Sequence, residues 1–354
     1  MLTIEKDFTV SCPDLALLGI PQEQLLFFDI ETTGFSGEYA SVYLIGCIYP
    51  EKDSWHMVQF FADSADAEPE LLSAFGGLLS GRRVLVHFNG DRFDIPFLQK
   101  RCAAHSVPDL FSASGSVDIL KKIRPWKKPL NLPDLRQKTV ETFLGIARED
   151  RFSGGELIPI YERWLHVRDR ALLSLLLLHN EEDLLGMPNL LPMLRYPAFF
   201  GGSFRFLSEE ACEDAVALTW VSETCLPVPV LMQAPAGTIR AEASSLRMDV
   251  PLYCGELRHF YADYRNYYYL PGEDSAIHRS VGDFVDKSLR KKATARTCYT
   301  RAAGRFLPEP SEIFPMTLRQ DYAAKQFYTP YREGMFSDDD LSGRYLREVL
   351  AGCM

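Results

Sequence analysis

Apolar positions fall into short unbroken runs early in the chain and into helical spacing later. Leu25 to Phe28 run without a polar break into Asp29-Ile30-Glu31 and stop at Thr32-Thr33-Gly34, the pattern of a buried strand ended by turn chemistry. Val42–Tyr49 and Trp55–Ala62 are rich in β-branched and aromatic residues, and the links are short, including a turn at Pro50–Asp53. Three such runs in succession predict an antiparallel meander. Glu68–Leu79 then spaces Leu71, Leu72, Phe75, Leu78 and Leu79 as one face of a helix. Arg83–Phe88 predicts a fourth strand, Phe93–Ala104 a helix that tolerates Pro96 in its first turn, and Val117–Leu120 a short fifth strand. From Leu132 to Pro192 the spacing is helical, with breaks near Gly145 and Gly154-Gly155. Residues 1–24, punctuated by Pro13 and Pro21, read as an irregular leader.

Strands and helices in this order predict a mixed α/β layer fold, in which ligands sit beyond the C-terminal ends of the strands. The character changes near Tyr196, where Pro197, Gly201-Gly202 and a rise in aromatic residues mark a boundary. Strand-like runs follow at Ala215–Ser222, Val228–Gln233, Gly237–Ala243 and Arg247–Tyr253, then the tyrosine-rich His259–Tyr269 and a helical stretch at Asp274–Asp286. The expected organisation is a leader at 1–24, an α/β domain at 25–195 and a smaller α+β domain at 196–354 with an antiparallel sheet and one helix. Its tyrosines are read as sheet core and edge. The tail from Tyr331 to Met354 ends in a short helical pattern.

Composition narrows the classes. With 47% apolar and 24% charged residues the chain is of ordinary globular type, and 354 residues exceed one typical domain. A net charge of −10 gives no global attraction to nucleic acid, so phosphate contacts must come from local basic patches. Eight scattered cysteines (12, 47, 102, 212, 225, 254, 298 and 353) without a CxxC pair fit a reducing cytosol better than a zinc site or disulfide framework. Residues 1–24 lack the basic and apolar regions of a signal peptide, and no apolar run is long enough to span a bilayer. The expectation is a cytoplasmic protein without a membrane partner.

The candidate chemistry lies in three acidic motifs. On a strand, residues i and i+2 share a face, so Asp29 and Glu31 are neighbours at a strand's end, where two carboxylates repel. In His87–Phe97 an acid leaves the fourth strand on a turn. Asp94 alone reads as a helix N-terminal acid favoured by the macrodipole, and Asp91 is its rival. His179 and Asp183 are i and i+4, stacked on one helix face, a spacing that also suits an exposed polar surface. Glu181, Glu182, Asp118 and Asp150 are read as structural or solvent-facing.

Taken together, FDIETTGFSG at 28–37, YLIG at 43–46, FNGDRFDIPFL at 88–98, LGIARED at 144–150 and HNEEDLLGM at 179–187 resemble the DEDD class of 3′→5′ exonucleases with a ribonuclease H-like fold, and within it the YprB-like branch. The resemblance spans roughly residues 25–195. It implies a ribonuclease H-like mixed sheet flanked by helices, and that Asp29, Glu31, Asp94 and Asp183 ligate two divalent ions, Mg²⁺ or Mn²⁺. Hard cations take carboxylate oxygens, and a pair of them relieves the repulsion of four acids while serving phosphodiester hydrolysis. His179 stands at the spacing another branch gives to tyrosine. It either takes a proton from the attacking water or only orients Asp183 and that water.

Thr32, Thr33 and Asn89 are candidates for holding the terminal nucleotide. Lys121–Lys128 is a basic stretch in which Lys127 and Lys128, beside Trp126 read as an exposed aromatic, are candidates for contacting phosphates. Lys287, Arg290, Lys291, Lys292, Arg296, Arg301 and Arg305 form a second basic stretch, suited to nucleic acid or to a protein partner. The resulting expectation is a metal-dependent 3′→5′ exonuclease acting on single-stranded DNA or RNA ends. Its rivals are a non-catalytic nucleic-acid-binding or assembly protein that retains the fold, and an endonuclease on RNA–DNA hybrids.

Overall fold

Strands covered on both faces show no polar alternation, which is why the centre of this sheet is written as continuous apolar runs. In the computed structural model, β1 (Leu2–Phe8), β2 (Leu25–Thr32), β3 (Val42–Glu51), β4 (Ser54–Phe61), β5 (Val84–His87) and β6 (Gly115–Asp118) form one mixed sheet in the order β1-β4-β3-β2-β5-β6. β1 to β4 pair antiparallel, and β5 and β6 add parallel to β2. Residues 1–9, 14–51, 54–82, 84–149, 152 and 154–353 are described. Cys12, Pro13, the end of the turn at 52–53, Arg83 and Asp150 lie outside them.

Helices α1 (Glu68–Leu79), α2 (Asp94–Ala104), α3 (Ile119–Ile123), α4 (Gln137–Phe143), α5 (Gly154–Val167) and α6 (Arg170–Leu190) flank the sheet. The two faces of β2 are distinct. Phe28 packs on Phe75 of α1 with ring centroids 5.5 Å apart, so Asp29 and Glu31 point to the opposite face, against which α6 packs. On that side Tyr43 stacks on Tyr161 of α5 at 4.1 Å. The chain clusters into two units, 1–198 and 199–354.

Several expectations need correction. The leader is not wholly irregular, because Leu2–Phe8 pairs with β4 along its full length from Leu2↔Phe61 to Phe8↔Trp55. The expected break in the helical spacing lies between Phe143 and Gly154, with Gly154-Gly155 opening the next helix. Trp126 is buried, at 5% exposure, while Lys127 and Lys128 beside it are exposed. The second unit holds three antiparallel sheets where one was expected: a five-stranded sheet over residues 204–251 and two of three strands. The helix expected at 274–286 shrinks to Arg279–Gly282, since Ser275–His278 pairs as a strand with Tyr267–Leu270. Val281 and Phe284 are exposed, so the stretch has no apolar face to bury as a helix. Tyr261 and Tyr267 stack at 4.8 Å, in keeping with a structural role, and the tail forms a helix at Asp339–Ala351. Among the described residues no helix is long and apolar enough to cross a membrane.

The start of α1 is tied to the sheet by Glu68, which is 3% exposed. Its carboxylate accepts the Val42 amide at 2.9 Å, Arg101 Nε at 2.8 Å and Arg101 Nη2 at 2.7 Å, with His105 Nε2 also at 2.7 Å. Glu68→Ala leaves the Arg101 charge without its partner, and stability to urea is expected to fall by about 3–5 kcal/mol. A loss below about 1 kcal/mol contradicts this role.

Candidate metal centre

The site is built on a cross-strand row. Asp29 pairs with Gly46, and Gly46 with Gln59, so the three positions lie side by side across β2, β3 and β4. Asn180 of α6 covers the row: its Nδ2 donates to Asp29 Oδ2 at 2.9 Å, and its Oδ1 accepts from Gln59 Nε2 at 2.9 Å. A Cβ on residue 46 would lie 1.9 Å from Asn180 Oδ1, so only glycine lets the helix come this close. One residue away on α6, His179 Nε2 stands 3.5 Å from Glu31 Oε1 and 3.5 Å from Asp183 Oδ2. Glu31, His179 and Asp183 each offer a ligand atom within 4.8 Å of the others.

Asp94 arrives from the turn after β5. Asn89 has φ of 70°, a left-handed conformation that asparagine tolerates, and its carbonyl accepts the amides of Arg92 at 3.1 Å and Phe93 at 3.2 Å. The turn is braced from below. His87 Nδ1 accepts the Gly90 amide at 3.0 Å, which leaves Nε2–H to meet Ser116 Oγ at 2.8 Å, and Ser116 in turn donates to Asp91. Asp118 Oδ1 accepts the Asn89 and Lys121 amides, both at 3.1 Å. The cluster of His87, Asp91 and Asp118 is therefore satisfied by protein groups. Asp91 is spent on Ser116 and Lys121, whereas Asp94, 5% exposed, lines the cleft.

That cleft, about 290 Å³, is lined by Asp29, Glu31, Asp94, His179 and Asp183, by Thr32 and Asn89, and by a partly apolar rim that includes Phe35, Phe88, Phe93 and Ile158. Phe35 is 86% exposed. Thr33 lies apart from the lining, its hydroxyl accepting the Ser41 amide at 2.9 Å. Lys127 and Lys128 are also outside it. Of the acids read as structural, Glu181 pairs with Lys6 and Glu182 accepts the Glu149 amide at 2.9 Å. Sequence reasoning missed Asn180, Gln59, Glu141 and Arg148. Arg148 donates to Asp183 Oδ1 at 2.5 Å.

Electrostatics follows from crowding. Burial raises the Asp29 carboxyl well above its ordinary range, the charges of Asp183, Glu31 and Asp94 add to this, and the Asn180 hydrogen bond opposes it. Burial likewise pushes Asp94 up to about 7, with Asp118 and Asp183 adding and the backbone amides of Asp94 and Ile30 opposing. An all-carboxylate set with one imidazole suits a hard divalent cation, which would relieve this repulsion, and Asp29, Glu31, Asp94 and Asp183 are the groups that would hold it.

Without divalent cations the folded protein keeps a proton on Asp94 that the unfolded chain releases near about pH 4. This contribution to stability is full at low pH and is lost as pH rises through about 7. In chelator, Tm is expected to fall between about pH 4 and 7, and Asp94→Asn to flatten the fall. An equally steep fall in the variant contradicts the assignment.

Among curated proteins nothing matches the chain. Solved structures that resemble it include two of known kind. One is the family B DNA polymerase from the hyperthermophilic archaeon Pyrobaculum calidifontis, at 17% identity and TM-score 0.41, covering 70% of this chain and 35% of the polymerase. The other is a nuclease in its apo form, at 16% identity and TM-score 0.34, covering 55% of this chain and 80% of the nuclease. The chain thus spans about a third of the polymerase's length. Residues 26–195 match the profile of the RNase_H superfamily. With the mixed sheet and its flanking helices already described, that match makes residues 26–195 an RNase H-like domain.

Proposed function

We propose that this chain is a divalent-metal-dependent nuclease, a 3′→5′ exonuclease acting on single-stranded DNA or RNA ends, of the DEDD class and its YprB-like branch. The observation that carries the reading is the gathering of Asp29, Glu31, Asp94, His179 and Asp183, from β2, the start of α2 and α6, around a single cleft. A phosphodiester cannot approach that many carboxylates unless their charge is compensated. Bound divalent cations, two in this reading, supply activation of a water and stabilisation of the leaving oxygen.

The chain's own residues do the rest. His179 lies beside Glu31 and Asp183, within reach of a water held between them, and takes its proton. The Phe35, Phe88 and Phe93 rings on the rim offer stacking surfaces for bases without sequence preference. Thr32 and Asn89 stand where a terminal nucleotide would rest, and the exposed Lys127 and Lys128 supply phosphate contacts further out.

With Mg²⁺ or Mn²⁺, 5′-labelled single strands are expected to give a ladder shortening from the 3′ end. Asp29→Asn and Asp183→Asn are expected to lower the rate at least about a thousandfold, the equivalent of several kcal/mol. Internal cuts indicate an endonuclease, and binding without cleavage by the unaltered protein indicates a non-catalytic role; either result overturns the proposal.

A neutral imidazole acting as base imposes a rise of rate with pH. That rise is expected to disappear in His179→Ala together with most of the activity. An unchanged profile restricts His179 to orienting Asp183 and the water.

A further inference from the structure

Asp183 is gripped from behind. Arg148, its side chain only 9% exposed, donates Nη1 to Asp183 Oδ1 at 2.5 Å and turns its other edge to Glu141, donating through Nε to Oε2 and through Nη2 to Oε1 at 2.7 Å. Glu141, on α4, is 1% exposed. One turn earlier, Gln137 Nε2 donates to Glu141 Oε1 at 3.0 Å and to the Asp183 carbonyl at 2.8 Å. Helix α6 has a seat for this assembly at Gly186, where a Cβ would lie 2.1 Å from Glu141 Oε1 and 2.8 Å from Gln137 Nε2. Glu141, Arg148 and Gly186 thus converge on one carboxylate, whose other oxygen, Oδ2, is 3.5 Å from His179 Nε2 in the cleft.

Burying three charged groups together is a poor way to gain stability, because desolvation offsets much of the attraction. What the arrangement secures is direction. A planar guanidinium presents its donors in a rigid fork, so clamping one edge on Glu141 fixes where the other edge points. A carboxylate whose one oxygen accepts from a buried guanidinium presents the second as its less encumbered ligand atom.

Resting on the reading of the cleft as a cation-holding nuclease site, we propose that Arg148, seated on Glu141, is a positioning residue for Asp183. It keeps Oδ1 out of the coordination sphere and reserves Oδ2 for a divalent cation. Two effects of removing it oppose each other. Loss of a positive charge, which also leaves Glu141 uncompensated, favours cation binding, while a freed Asp183 disfavours it. Partners that orient a metal ligand typically contribute 10–100-fold in affinity, so the second effect prevails.

The test is Mn²⁺ titration calorimetry on the full chain, with single-strand cleavage measured in parallel. Arg148→Met is expected to bind Mn²⁺ about 10–100-fold more weakly and to lose kcat with substrate KM unchanged. Arg148→Lys, which keeps the charge and loses the fork, is expected to remain defective, and Glu141→Gln to move the same way by less. Unchanged or tighter Mn²⁺ binding by folded Arg148→Met overturns the proposal, as does a drop in Tm with Mn²⁺ affinity intact. If Arg148→Met does not fold, the same readings on Arg148→Lys and Glu141→Gln decide. An unaltered protein that binds no Mn²⁺ also overturns it. Weakened Mn²⁺ binding in the variants, with no cleavage even by the unaltered chain, removes the nuclease reading and leaves the positioning role standing.

Discussion

Like charges held at close quarters away from water are the constraint around which this domain is arranged. Asp29, Glu31, Asp94 and Asp183 face one cleft, and the raised Asp29 and Asp94 carboxyls record the cost. Three of them are restrained by something that cannot easily yield. Asn180 and Gln59 lock Asp29 in the sheet row, the turn braced by His87 and Asp118 delivers Asp94, and Arg148 holds Asp183. The glycine at 46 follows from the same demand, because α6 must approach β3 closely enough for Asn180 to reach across. A site like this stores strain that bound cations relieve, so stability and function pull against each other at the same residues.

Much of this was legible because local chemistry and global position agreed. The apolar run into Asp29-Ile30-Glu31 reads as a buried strand, and period-two geometry put both acids on one face. The i, i+4 spacing placed His179 over Asp183, and the Phe-Asp-x-Pro context at 93–96 favoured Asp94 over Asp91. What escaped depends on residues distant along the chain. Gln59 meets Asn180 across 121 positions and Arg148 meets Asp183 across 35, and neither pairing leaves a periodicity to read. The strand at Leu2–Phe8 escaped for a similar reason: it is a half-exposed edge strand with few apolar residues, and its evidence lies in β4.

Tertiary packing overrode local composition elsewhere. Trp126 sits in a run of lysines that suggests exposure, yet it is buried while the lysines face outward. In the second unit, strand pairing claimed Ser275–His278 from an expected helix, and part of the basic stretch is engaged locally. Arg290 bonds Asp283 at 2.7 Å, and Arg301 reaches Glu256 at 3.4 Å. Lys287, Lys291 and Lys292 remain exposed.

The central claim is that acids drawn from separate parts of the chain share cations in one cleft. The most direct measurement is the anomalous difference density of crystals grown with Mn²⁺. Peaks within about 2.0–2.2 Å of carboxylate oxygens of Asp29, Glu31, Asp94 and Asp183 are the expected result. A saturating Mn²⁺ concentration that leaves the cleft without density, or places the ion on His87, Asp91 and Asp118 instead, contradicts the account.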